Sequence, residues 1–600
     1  MTPNHQNSHI AGQTAHVSSR SDGRETPTRQ IRLASSVISH SDQFAEAQRG
    51  DWLCLSTGAP VFPGDTPADR ADASQRWLEL FEQHGPSCAA RVKGRFGVVF
   101  FHCNRDEVVL VTDRFATYPW VWQCQDGGFS FSDRTEQLPG TPDIDLDAIY
   151  SYLFFHVIPS PLTIFKGVER LEPACALHFT SGTVECSRYW RPRFDEQPVR
   201  DRKAEKQRFL DIIENAVARD AVGAQTGTFL SGGTDSSTVT GMLCRIQGRP
   251  ARAFSIGFDA DGYDEMEYAR IAATHFGADH KAYYVTPDDL VTAIPLVATH
   301  YDQPFGNSSA VPAWICAARA REDGIERLLA GDGGDELFGG NTRYAKQKVF
   351  GAYDVIPSAL RQRLIEPMCR ALPLDRIPVV KKGASYVEQA SVPMPDRLQM
   401  YNMLIRLGHD NVFERAFLDR ADMQRPYELQ RDVWQQSERA SLVNRMLAFD
   451  WKFTLADNDL PKVVGTTGLA GLEVAFPLLD DDLMDLSLHL PTDEKLHGLK
   501  LRWFFKEALT GFLPDAILTK KKHGFGLPFG VWATSHAGLK SLADDALGSF
   551  GARGVVRSDF IRDLIERWLP AYPGYYGEMV WIIMMLEHWL RANRPDWKAQ

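Results

Sequence analysis

Residues 226–237 read TGTFLSGGTDSS, and they settle what kind of sheet the chain builds. Thr228, Phe229 and Leu230 close a buried apolar strand, Ser231, Gly232 and Gly233 form a tight turn, and Thr238 to Leu243 open helically. A strand that runs through a glycine turn into a helix makes an anion site. The glycines let the main chain approach a phosphate, and the amides with the helix N-terminus aim positive charge at it. Asp235 is out of place there, because a carboxylate beside phosphates repels them unless a divalent cation lies between. Asp235 therefore reads as a Mg²⁺ ligand, with Ser231, Ser236 and Ser237 donating to phosphate oxygens. A serine-rich helix cap would explain SGG alone, but not SGGTDSS complete after a strand. No lysine follows the second glycine, so this is not a Walker A loop.

Outward from the loop, KQRFLDIIENAVARD has helical periodicity and delivers the chain into the loop strand. ARAFSIGF (251–258) is the next buried strand, and YDEMEYARIAATHFG begins as a helix with acids in its first turn. Strand, loop, helix, strand, helix describes a parallel doubly wound sheet whose ligands lie at the carboxyl ends of its strands. Phe254 to Gly257 then fall beside a nucleotide. A third strand, in ERLLAGDGGDELFGG (326–340), ends in a glycine turn carrying acids, and Asp335 fits a second Mg²⁺ contact opposite Asp235. YDQPFGNSSAVPAW (301–314) reads as a loop over the site with its role open. From Ala345 to Phe453 the pattern is helical and rich in arginine, which suits a solvated face or a peptide groove.

Six hundred residues exceed one core, so two domains are expected, the larger with helical additions. Net charge is −11 and the sequence pI about 5.9, which argues against a general nucleic-acid surface. Nine scattered cysteines form no C-x-x-C pair, so a reduced, cytoplasmic protein is expected. The apolar run Met579 to Leu586 is too short to span a bilayer, and residues 1–30, with no apolar segment, read as a disordered tail and not a signal peptide.

Between residues 31 and 195, short apolar runs separated by turn signals (WLCLS, GRFGVVFFH, EVVLVTD, WVWQC, FSFSD) predict antiparallel strands packed as a sandwich. GRFGVVFFH, VVLVTDRFATYPWVW, RLEP and RYW resemble the glutaminase domain that precedes the synthetase domain in asparagine synthetases, an N-terminal-nucleophile-hydrolase fold. The resemblance fails where that chemistry would be. Position 2 is Thr2 and not the nucleophilic cysteine, and STGAPVF (56–62) stands where the family holds glutamine. Cys54, the nearest thiol, lies in an apolar run and is expected in the core. The implied unit is a degenerate sandwich that is structural or docks a peptide, and glutamine is not the nitrogen source.

Residues 205–600 likewise resemble the family's ATP-pyrophosphatase domain, of the adenine-nucleotide α-hydrolase-like fold, so the expected class is α+β followed by α/β. SGGTDSS resembles its pyrophosphate loop. The resemblance implies ATP and Mg²⁺ as cofactors, Leu230 and Ile256 at the adenine, and Gly232, Gly233, Ala330 and Gly331 beside the nucleotide. It further places Asp332 at the amine step. KLRWFFKEALTGFLPDAILTKKKHGFGLPFGVW (500–532) matches the family's K-K-x-G-F-G-x-P segment and implies Lys522 as the catalytic lysine, a cation for the charge that builds on the acyl transition states. In NDLPKVVGTTGLAGLEVAFPLLDDDLMDLSLHLP (458–491), the family's Asp-Arg pair is Val464 and Gly465, and its next arginine is Ala475. Missing those charges, the acceptor side looks unsuited to free aspartate. With no cysteine at position 2, and with Val464-Gly465, AGLEV and KHGFGLPFG, the chain resembles the lasso-peptide macrolactam synthetases. These adenylate an Asp or Glu side chain of a precursor peptide, which the peptide's own N-terminal amine then attacks. A precursor peptide, a leader peptidase and a leader-binding protein are the implied partners. An ammonia-dependent asparagine synthetase or a β-lactam-forming relative is the alternative.

Overall fold

The computed structural model describes residues 14–16, 28–32, 37–41, 43–64, 72–125, 128–354, 356–367, 386–520 and 526–599. The chain divides into two compact units, residues 1–148 with 158–191 and residues 149–157 with 192–600.

The first unit contains strands β1 (Thr14–His16), β2 (Thr28–Arg32), β3 (Val37–Ser41), β4 (Ala45–Arg49), β5 (Trp52–Val61), β6 (Lys93–His102), β7 (Glu107–Thr112), β8 (Val121–Gln125), β9 (Gly128–Ser132), β10 (Glu169–Arg170), β11 (Cys175–Thr180) and β12 (Thr183–Arg188). Six of them form an antiparallel sheet in the order β12-β11-β7-β6-β5-β4, and β10-β8-β9 form a smaller one. Alternation along the strands gives the large sheet two apolar faces. Leu53, Leu55, Val99, Phe101, Leu110 and Leu177 meet Phe129 and Phe131 of β9, which is the sandwich core. The opposite set, Cys54, Val98, Phe100 and Val109, packs under helix α1 (Ala73–His84) through Trp77, Leu78 and Phe81. Cys54 has no accessible surface, and burial pushes its thiol well above the ordinary range. It is a core residue.

The second unit is built on a five-stranded, wholly parallel sheet. Helix α3 (Arg202–Ala221), capped by Asp201 accepting from the Ala204 amide at 3.0 Å, leads into β13 (Thr226–Phe229). There follow α4 (Thr234–Gln247), β14 (Arg252–Phe258), α5 (Met266–Phe276), β15 (Asp279–Val285), α6 (Pro287–His300), α7 (Ala310–Glu322), β16 (Arg327–Leu329), α8 (Gly334–Phe338) and, much later, β17 (Glu473–Ala475). Spatial order is β15-β14-β13-β16-β17. The chain therefore reverses direction across the sheet between β13 and β16, and such a switch point opens a crevice at the strand ends. The 301–314 stretch is a loop only as far as Ser309, because Ala310 starts α7, which packs on the sheet through Cys316, Ala317 and Ala320. Thr228 of β13 and Thr240 of α4 share a buried hydroxyl contact of 2.8 Å that fixes the helix on its strand.

Residues 149–157, most of them in helix α2 (Leu146–Phe155), pack into this second unit. The Tyr152 hydroxyl donates to the Ile582 carbonyl at 2.8 Å, Asn402 Nδ2 donates to the Phe154 carbonyl at 2.8 Å, and the Gly306 amide donates to the His156 carbonyl at 2.8 Å. The helix Pro573–Asn593 carries the run Met579–Leu586, every residue of it buried. No helix among the described residues is long and apolar enough to cross a membrane.

Candidate active site

A cavity of about 340 Å³ lies at the carboxyl ends of β13, β14 and β16. One end is apolar, walled by Leu230, Phe254, Ile256, Pro312, Ala313 and Cys316, and has the character of a site for a flat base. Its floor is fixed by the main chain. The Leu230 amide donates to the Phe254 carbonyl at 2.8 Å, the Ser255 hydroxyl donates to the Leu230 carbonyl, and His280 Nε2 lies 2.7 Å from that hydroxyl.

The glycine loop occupies the middle. Gly232 has φ +71°, and a Cβ there would lie 2.4 Å from the Ala269 amide nitrogen, so only glycine fits. Ser236 Oγ accepts from the Ser231 amide at 3.1 Å and sits 3.0 Å from Ser231 Oγ, while Ser231 Oγ is 3.4 Å from the Gly233 amide that points at it. In this state the loop's donors point at its own serines. The same donors can turn to a phosphate, because Ser231 and Ser236 both line the cavity. Ser237 does not face it: the side chain has no accessible surface, and its hydroxyl has no partner among the described residues. Gly232, Gly233 and Ala330 do not line the cavity, while Leu230, Ser231, Asp235, Ser236, Ile256 and Gly331 do. A Cβ on Gly331 would meet the Ser236 amide nitrogen at 2.7 Å, so the turns after β13 and β16 close on each other only through a glycine.

The other end is acidic. Among the described residues, Asp235, Asp332, Asp335, Glu336 and Asp459 line it against a single lysine, Lys462. Asp235 and Asp335 come from different strand ends and converge on one guanidinium. Arg502 Nη1 donates to Asp235 Oδ2 at 2.7 Å, to Asp335 Oδ1 at 2.9 Å and to Thr234 Oγ1 at 2.8 Å, and Nη2 donates to Asp235 Oδ1. Two carboxylates aimed at one positive point fit a Mg²⁺, which takes oxygen ligands at about 2.0–2.1 Å and completes its shell with phosphates and water. Asp235 and Asp335 are the residues that would hold it. Beside them, Lys462 Nζ reaches Asp459 at 2.9 Å and Asp332 at 3.7 Å. Burial raises the Asp332 carboxyl to about 6, against the opposing pull of Lys462.

Two functional groups are absent from the sequence reading. Arg502 stands in RWFF, where a lone charge among aromatic residues has to find a buried partner. Lys462 lies two residues before Val464. It gives the acceptor side a charge that the loss at Val464, Gly465 and Ala475 does not foretell, so the acceptor side is charged. Gly465 is no vacancy either: a Cβ there would lie 2.4 Å from Tyr301 Cε1. Ala475 is buried in β17. Lys522 lies outside the described residues.

A model of the asparagine synthase family matches residues 208–591, and one of a glutamine amidotransferase domain matches 71–190. The chain is 22% identical over 525 residues to asparagine synthetase (glutamine-hydrolyzing) 1 of Bacillus subtilis, covering 86% of this chain and 80% of that protein. It is 26% identical over 473 residues to a putative asparagine synthetase (glutamine-hydrolyzing) of Mycobacterium tuberculosis, covering 76% and 70% respectively. Among solved structures, the NMN synthetase from Francisella tularensis aligns with 35% of this chain and 95% of its own at 13% identity and a TM-score of 0.19.

Proposed function

Because this chain belongs to the asparagine synthase family, whose members are ATP-dependent, AMP-forming carbon–nitrogen ligases, we propose that it activates a side-chain carboxylate of a precursor peptide and closes a macrolactam with the peptide's N-terminal amine. A carboxylate oxygen of an Asp or Glu of the peptide attacks the α-phosphorus of ATP, and pyrophosphate leaves toward the Ser231–Ser236 loop. The amine nitrogen then attacks the acyl carbon, AMP departs, and Asp332 takes the proton that the nitrogen loses. Asp235 and Asp335 would hold a Mg²⁺, which would supply the positive charge that lets a polyphosphate lie against a wall of acids. Lys522 is assigned the charge on the acyl transition state.

The observation that carries the peptide reading is the charge of the acceptor end. Its one lysine is already shared by Asp332 and Asp459, and the space above Gly465 is filled by Tyr301. A free α-carboxylate entering there meets acids and finds no unshared cation among the described residues that line it, whereas a peptide amine brings no carboxylate with it. A second cavity of about 450 Å³ in the same unit, with Phe155, Phe449, Phe453, Tyr401 and Tyr575 on its wall beside Arg343 and Glu578, offers room for peptide side chains. The peptide must be held folded before acylation, since closing a ring is entropically costly. A leader peptidase and a leader-binding protein would supply it.

The test is a leader-cleaved precursor with ATP and Mg²⁺. The expected product is lighter than the linear core by one water, with AMP formed in equal amount. Replacing the ring Asp or Glu by its amide should stop AMP release and cyclisation together, and acetylating the N-terminus should stop cyclisation alone. The second reading, an ammonia-dependent asparagine synthetase, rests on the named relatives. Asparagine from aspartate and ammonium, with the peptide left linear, would put that reading first.

A further inference from the structure

Arg502 holds the position that the two acids define, and four features show that it is held there deliberately. Its side chain is 5% exposed. Its guanidinium carbon lies 3.8 Å from the centre of the Phe505 ring. Its backbone adopts φ 55°, ψ 41°, a left-handed conformation that is strained in a non-glycine residue and persists only where the surroundings impose it. Its Nε has no hydrogen-bond partner among the described residues, so every donor it does use goes to Asp235, Asp335 or Thr234.

Two carboxylates that meet on one guanidinium, with side chains 20% and 19% exposed, repel each other unless a cation stands between them. A bare Mg²⁺ competes poorly for the place. It would break three charge-assisted contacts and give up water for only two carboxylates, and it dehydrates reluctantly. A polyphosphate changes the balance, because it brings further oxygen ligands for the ion and a new anion for the displaced guanidinium.

We propose that Arg502 is a resident counter-cation that fills the metal position while ATP is absent, so that the divalent ion is taken up only together with the nucleotide. With Arg502 in place the two carboxylates carry one net negative charge instead of two, and the site is not loaded by metal alone. The inference rests on the ATP site of the family and not on the peptide substrate.

The test is Mn²⁺ binding to the full chain, followed by electron paramagnetic resonance of the free ion. Without nucleotide, Arg502→Met should bind Mn²⁺ at least tenfold more tightly than the unaltered protein. With α,β-methylene-ATP present that advantage should shrink below about threefold, since the nucleotide then moves Arg502 aside in both. Equal affinity of the two proteins for Mn²⁺ alone would overturn the proposal. If Arg502→Met does not fold, Arg502→Lys keeps the charge but cannot span both carboxylates, and should gain at least threefold; no gain overturns it equally. No peptide is present and no AMP is read, so failure here leaves the macrolactam reading untouched, and failure of cyclisation leaves the Mn²⁺ result standing.

Discussion

Replacing Gly465 by alanine probes the packing that separates this acceptor side from one with an arginine. Gly465 lies inside the helix Leu460–Leu469, where alanine ordinarily gains about 1 kcal/mol over glycine. Here the new Cβ would stand 2.4 Å from Tyr301 Cε1, 2.7 Å from Cζ and 2.9 Å from the hydroxyl oxygen. The ring cannot swing away cheaply. It stacks on Phe305 with centroids 4.4 Å apart, its hydroxyl donates to the Lys462 carbonyl at 3.0 Å, and its own carbonyl accepts from Trp589 Nε1 at 3.1 Å. Overpacking of this kind costs about 1–3 kcal/mol, and losing the hydroxyl contact adds about 1 kcal/mol. Against the helical gain, Gly465→Ala should destabilise by a net of about 1–3 kcal/mol. In a Tyr301→Ala background the same substitution should change sign and stabilise by about 1 kcal/mol. Urea unfolding followed by tryptophan fluorescence on the four proteins measures both. If alanine stabilises in both backgrounds, Tyr301 does not fill the space above Gly465, and one support of the peptide reading goes with it. Lys462, three residues from Gly465, lines the cavity, so pyrophosphate exchange should fall in Gly465→Ala alone and recover in the double variant.

Asp235→Asn and Asp335→Asn should each lower ATP–pyrophosphate exchange by about a hundredfold or more, whereas Asp332→Ala should retain exchange and lose the amide product. Exchange at the normal rate in either asparagine variant removes the metal assignment. Glutamine should yield no glutamate, and Cys54 should resist alkylation in the folded protein; glutaminase activity that vanishes in Cys54→Ala contradicts the reading of the first unit. Lys495 is fully buried, donates to Asn444 Oδ1 at 2.8 Å, and is pushed down by burial to about 7. Its folded pKa is below its unfolded one, so the unfolded chain binds more protons between about pH 7 and 10, and stability rises with pH across that window. The penalty is complete below about pH 7, and Lys495→Met should therefore raise the unfolding midpoint more at about pH 6 than at about pH 9. Equal gains at the two values would show that Lys495 is not the source.

What the sequence reveals is what local chemistry demands. The strand, glycine turn and helix around Ser231–Gly233, and the acids after β16, are legible because a phosphate loop requires small residues and donors within a few positions of each other. Strand β15 goes unread because Asp279 to Val285 opens on charged residues at the edge of the sheet, where the pattern of a buried parallel strand is absent. Ser237 looks equivalent to Ser236 in one dimension, but the helix turns its hydroxyl into the core. Arg502 meets Asp235 and Asp335, and Lys462 meets Asp332 besides its helical neighbour Asp459; the acids more than a hundred residues away are pairings no spacing rule reports. Gly465 reads as a missing charge and proves to be a filled volume, since the filling residue, Tyr301, comes from another segment.

The segment 149–157 has a consequence for how this protein can be shortened. It lies inside the sequence of the first unit yet donates to Ile582, and accepts from Asn402 and Gly306, in the second. A deletion of residues 1–191 would leave those three groups without partners and open a trough where Tyr152 and Phe154 are buried. No single cut therefore separates a self-sufficient synthetase from the region before it. A lineage that ceased to need the first unit's chemistry could let that chemistry decay residue by residue, but could not discard the unit in one genetic step. An engineer seeking a minimal ligase faces the same constraint and would have to graft residues 149–157 onto the new terminus.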